Sequence, residues 1–174
     1  KLLDDEDAVV ALKSRERIVT GGGVGLRALF TPGHEVDHVC YYLREDRVMF
    51  TGDTVLGASS TSVGDLAAYM KSLELLTKFK HDTICPAHGP VVPAPRGANL
   101  VRWQYEHRMG RERQVVAALE KGISEVSKIT SDMYPKNLKK GLRPSAERNV
   151  NTHLRKLIKE ESVEETPARF TLKN

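Results

Sequence analysis

The chain has 174 residues, 40% of them apolar, and a formal net charge of +4. That is enough for one domain or two small ones with a buried core, and it excludes a disordered or fibrous chain. No apolar run approaches the length of a membrane span, and two cysteines, Cys40 and Cys85, without a CxxC partner exclude a disulfide framework or a zinc knuckle.

Residues 1–20 open with Asp4, Asp5, Glu6 and Asp7 followed by an apolar run to Leu12, a pattern that fits a short helix with carboxylates in its first turn. After the loop Gly21, Gly22, Gly23, alternation of Leu26, Ala28 and Phe30 with Gly25, Arg27 and Leu29 predicts a strand that ends before Pro32. His34 then lies in the loop at the strand's C-terminal end. Residues 39–43 and 48–51, β-branched and aromatic and separated by four charged residues, read as a hairpin that delivers Asp53 just past its second strand. Both cysteines sit in strand-like apolar runs and are expected to be buried free thiols.

Residues 57–61 form a small polar loop, either a plain connection or one whose hydroxyls and N–H groups touch a substrate phosphate. Ser62, Val63, Gly64 and Asp65 resemble a capping box with Asp in place of Glu. Leu66, Tyr69, Met70, Leu73, Leu76 and Phe79 follow at helical spacing, so the helix is expected over 62–80, packed on the sheet. Residues 83–85 make a short buried strand, and His88 follows on the turn from Pro86 to Pro90. Strand, loop, helix, strand, loop is an α/β layer arrangement with its chemistry gathered at one end.

His34, Asp53 and His88 thus occupy three Gly/Pro turns, in TPGHEVDH, TGD and CPAHGP. Taken singly, each has an ordinary reading as a loop histidine or turn aspartate. Together, two imidazoles and a carboxylate are donors suited to Zn²⁺, Mn²⁺ or Fe²⁺. His38 is expected to orient a neighbour or pack at the strand start rather than to bind metal.

Past a break at Pro93 and Pro95, a long helix is expected over 97–121, with His107 beside Arg108 and Arg111 either packed or touching phosphate. Further helices are expected over 124–134 and 144–159, then a small hairpin using Val163 and residues 168–172. Up to residue 90 there are 10 basic and 13 acidic residues, and beyond it 17 and 10. The basic half fits either a nucleic-acid surface, with Arg143, Arg148, Arg155, Lys156 and Lys159 on phosphates, or a solvated packing cap.

The ordered motifs resemble the second half of the metallo-β-lactamase fold hydrolases, relatives of glyoxalase II and ribonuclease Z. They are most similar to β-lactamase-like endoribonucleases that carry a C-terminal winged helix. The likeness continues through GDTVLG, YMKSL and YEHRMGRERQ, covering most of residues 24–174. It implies the second half of an αββα sandwich over 1–108 and a winged-helix-like domain over 109–174. It also implies two Zn²⁺ ions (or Mn²⁺ or Fe²⁺), with His34 completing one site, His88 the other and Asp53 spanning both, so that metal-activated hydroxide cleaves single-stranded RNA.

One departure is large. The family's His-x-His-x-Asp-His motif is absent, no histidine precedes His34, and the chain begins with Lys1. The expected partners are therefore the missing N-terminal half of the fold and single-stranded RNA, with a homodimer open and no membrane, in the cytoplasm or the mitochondrial matrix. The alternatives are a glyoxalase II-like thioester hydrolase and, for this chain alone, an inactive binding or scaffold fragment.

Overall fold

The computed structural model describes residues 11–166 and 169–172, the last four by their backbone. Most of the helix expected near residues 8–12 lies outside them. A five-stranded sheet runs in the order β1 (Arg17–Val19), β2 (Gly25–Phe30), β3 (Val39–Leu43), β4 (Val48–Gly52), β5 (Thr83–Pro86). Neighbours are antiparallel except β4 and β5, which are parallel and joined by the helix α1 (Leu66–Thr77). Parallel neighbours need a crossover of this kind.

Strand register assigns side chains to faces. Leu29 pairs with Cys40, Tyr42 with Met49, and Met49 with Ile84. These five side chains share the face that packs on Leu66, Tyr69, Leu73 and Leu76 of α1, and on Leu100 and Val101 of the long helix α2 (Arg96–Glu120). The opposite face carries Leu26, Val39, Tyr41 and Leu43, all half-buried, with Phe30 and Phe50 41% and 39% exposed. Successive strand residues point to opposite faces, so one face is a packed core and the other is apolar and partly open to solvent.

Helix α1 begins later than its periodicity suggested. Asp65 is itself the N-cap, accepting the Ala68 N–H at 3.0 Å, so residues 62–64 belong to the preceding loop. Ser72 of α1 donates to the Pro32 carbonyl at 2.7 Å and Tyr69 Oη to the Thr54 carbonyl at 2.6 Å. The helix therefore grips both loops that follow β2 and β4.

A second core gathers Val115, Ala118 and Leu119 from the C-terminal part of α2, Ile129 from α3 (Val126–Met133), Val150, Leu154 and Leu157 from α4 (Arg143–Lys159), and Val163 from β6 (Val163–Thr166). β6 pairs antiparallel with β7 (Arg169–Leu172). Three helices and a terminal hairpin form the expected winged-helix arrangement, and α2 runs through both cores. Between α2 and α4, Glu112 accepts from Lys156 at 2.8 Å and lies 3.4 Å from His153 Nδ1, all three buried. Burial pushes the Glu112 carboxyl up, but hydrogen bonds from His153 and Lys156 outweigh it and hold the group below its ordinary range.

Candidate metal centre

Strand direction explains why three residues far apart in sequence meet. β2 and β4 are each antiparallel to β3, so they run the same way, and β5 is parallel to β4. The C-terminal ends of all three lie on one edge of the sheet. His34, Asp53 and His88 each follow one of these ends within a few residues, which is where open α/β sheets gather their ligands.

The Asp53 carboxylate stands between the two imidazoles. Oδ2 lies 3.7 Å from His34 Nε2 and Oδ1 lies 3.5 Å from His88 Nε2. His34 Nδ1 is 2.8 Å from the Ser62 carbonyl oxygen. A carbonyl only accepts, so Nδ1 carries the proton and the Nε2 lone pair faces Asp53. The Thr61 hydroxyl sits 3.2 Å from the same nitrogen. His88 is 75% exposed along its side chain and is the open member of the set.

His38 occupies the positioning role expected of it. Its Nε2 accepts the Asp53 backbone N–H at 3.0 Å, while Nδ1 lies 2.9 Å from Thr31 Oγ1 and 3.1 Å from Thr54 Oγ1. Burial, then the nearby His34, lower its pKa and favour the neutral ring that this acceptance needs. Gly52, at φ 51°, holds the turn before Asp53, and a Cβ there would press on His38 Nε2 at 2.6 Å.

Two contributors lie outside the three ligand motifs. Ser62 acts through its carbonyl, and Arg108 of α2, buried, donates from Nη2 to the Thr61 carbonyl at 3.2 Å while its guanidinium lies 5.7 Å over the Tyr69 ring. Arg108 thus pins the loop that orients His34. His107 stacks on Trp103, ring centroids 5.2 Å apart, a packed placement. Cys40 is buried with its thiol pushed up to about 11 by burial, whereas Cys85 is only half-buried, short of the expected burial.

The donor set fits half of a dinuclear centre. Each carboxylate oxygen of Asp53 is matched with one imidazole nitrogen, two donors per position, and among the described residues no cluster of three His, Cys, Asp or Glu side chains is placed to hold one ion. A four-coordinate ion takes the rest of its ligands from elsewhere.

The five basic residues expected on phosphates are not equivalent. Lys156 is buried, its ammonium between Glu112 and Glu160 at 2.8 and 2.7 Å, so it faces the interior rather than solvent. Lys159 pairs with Asp65 at 2.9 Å, and Arg143 is spent on Glu147, Ser127 and Ser131. Arg148 and Arg155 are exposed.

Residues 2–88 match the model of the metallo-beta-lactamase superfamily. The chain belongs to that superfamily. Residues 126–169 match the beta-lactamase associated winged helix domain. A Beta-lactamase-like protein 2 homolog of Caenorhabditis elegans is 34% identical over 142 residues, covering 82% of this chain and 48% of that protein. An Aspergillus fumigatus protein named Atrochrysone carboxyl ACP thioesterase is 40% identical over 112 residues, 62% of this chain and 35% of its own length. A beta-lactamase domain protein from Burkholderia ambifaria has the same fold at a TM-score of 0.74 and 22% identity, over 93% of this chain and 52% of that one. The metallo-beta-lactamase chain therefore spans about half the length, or less, of the curated relatives it matches. The superfamily generally binds divalent metals such as zinc or iron.

Proposed function

We propose that His34, Asp53 and His88 are metal ligands of a hydrolase, with Asp53 shared between two cations, and that the bond cleaved is a phosphodiester of single-stranded RNA. The observation that carries this reading is the Asp53 carboxylate offering one oxygen toward each imidazole Nε2. When bound, a pair of divalent cations supplies Lewis acidity and lowers the pKa of water. The chain's own residues do the positioning. Ser62 keeps the His34 proton on Nδ1, His38 fixes the Asp53 backbone, and Arg108 holds the loop between them. The missing half of each ligand set comes from the N-terminal half of the same fold, and the half-open apolar face of the sheet suits that neighbour.

The excess of basic over acidic residues beyond residue 90 favours a polyanion. Thioester hydrolysis is the second reading, favoured by the likeness to a protein named as an ACP thioesterase. The two are separated by incubating the intact gene product, supplemented with zinc, manganese or iron, with end-labelled single-stranded RNA and with an acyl thioester. RNA fragments are expected. Thioester turnover with intact RNA replaces this reading by the second.

A further inference from the structure

We infer that the cleft between the 58–64 loop and α4 seats the phosphate backbone of a single strand, with Arg148 and Arg155 as its cationic contacts. This rests on the RNA reading above and adds where the strand lies. The cleft has a volume of about 720 Å³, with Ser60, Thr61 and Ser62 on one wall and Arg148, Thr152 and Arg155 on the other. Positions 148, 152, 155 and 159 recur at helical spacing, so one stripe of α4 faces the loop.

The charges in this cleft are sorted. Its carboxylate, Asp65, is neutralised by Lys159, and Lys156 is neutralised by Glu112 and Glu160. Among the described residues, Arg148 holds only the Ser145 hydroxyl, and Arg155 has no hydrogen bond or ion pair. Two exposed guanidiniums without carboxylate partners therefore face a wall of hydroxyls, and both chemistries suit phosphate oxygens.

Three features favour a strand over an isolated phosphate or a duplex. From residue 148 to 159 the helix runs about 16 Å at about 1.5 Å per residue, longer than one phosphate requires. A reader of duplex DNA inserts its helix into a groove about 12 Å wide, whereas the loop stands against the basic face of α4 here. Finally, the loop wall is the one that orients His34 through Ser62 and Thr61, so a strand in the cleft would touch the loop that holds a candidate ligand.

The test is fluorescence anisotropy of the full chain in EDTA with labelled single-stranded RNA across a salt series, which separates binding from turnover. Arg148→Ala with Arg155→Ala is compared with Lys136→Ala and Lys139→Ala, exposed cations outside the cleft; all four side chains lie on the surface. The first pair is expected to weaken binding at least tenfold at low salt and to flatten the plot of log K against log salt by about 1.4, from about 0.7 per phosphate contact. The control pair leaves the salt slope within half of that change. Equal behaviour of the two pairs, or no RNA binding by the unmodified chain, overturns the assignment. So does capture of labelled coenzyme A through Arg155 with RNA ignored. An RNA-binding cleft in a protein that fails to cleave RNA leaves this inference standing and removes the proposed activity.

Discussion

Replacing Arg108 by methionine tests whether the loop beside His34 is held from α2. The substitution removes one guanidinium hydrogen bond to the Thr61 carbonyl, at 3.2 Å, a charge-assisted bond of the kind that contributes about 1.5–3 kcal/mol. It also removes the cation over Tyr69, a contact that contributes roughly 0.5–1 kcal/mol. Against this, Arg108 Nε is buried without a partner among the described residues, and eliminating such a group returns about 1–3 kcal/mol. The net loss of global stability is therefore small, about 1 kcal/mol, while the loop loses its only tie from Arg108.

Amide hydrogen exchange resolves the two effects. The Gly64 and Asp65 amides both donate to the Gly33 carbonyl, at 2.8 and 3.0 Å, and report the loop's attachment to the His34 turn. In Arg108→Met they are expected to exchange at least tenfold faster than the global change in stability explains, with the amides of β3 following that global change. Loop and β3 amides shifting by the same factor would refute the coupling.

Glu112→Gln takes one of two carboxylates from the buried Lys156 ammonium and leaves it with Glu160. A loss of about 3 kcal/mol is expected, the low end for breaking a buried pair, and calorimetry should show a Tm lower by about 6–12 °C; a fall under 2 °C contradicts it. The same pair sets a pH window. Glu112 is held below its ordinary 4.5, so its contribution is present above that value and lost as pH falls through the lowered pKa. For Lys156, burial lowers the pKa but Glu112 and Glu160 raise it above its ordinary 10.5, so that contribution is present below 10.5 and lost as pH rises through the raised value. Urea titrations should show Glu112→Gln flattening the acid-side fall, and an unchanged acid limb opposes the assignment. At Gly57 a Cβ would collide with the Pro90 carbonyl, so Gly57→Ala is expected to displace the His88 turn. Its cost in urea unfolding should be about 1–3 kcal/mol, as for other overpacked positions, and a neutral substitution shows that the two loops do not touch as described.

The three candidate ligands were legible because each follows an apolar strand on a Gly/Pro turn, and strand direction alone brings such turns to one edge. What escaped the sequence is carried by long-range contacts without a residue-type signature. The Ser62 carbonyl that sets the His34 tautomer is available from any residue, and Arg108 reads as one more cation on a basic helix. Lys156 looked like a surface cation until Glu112, 44 positions earlier, was found opposite it. Residues 17–19 are too few to show an alternation, so β1 went unseen. The start of α1 was misjudged because Asp65 caps the helix directly instead of closing a box begun at Ser62.

In the proposed hydrolase Asp53 serves both halves of one centre. Asp53→Asn in the metal-supplemented intact protein, assayed for cleavage of end-labelled single-stranded RNA, tests it most directly. Cleavage is expected to be abolished while RNA binding stays nearly unchanged. A variant that cuts as fast as the unmodified protein would contradict it.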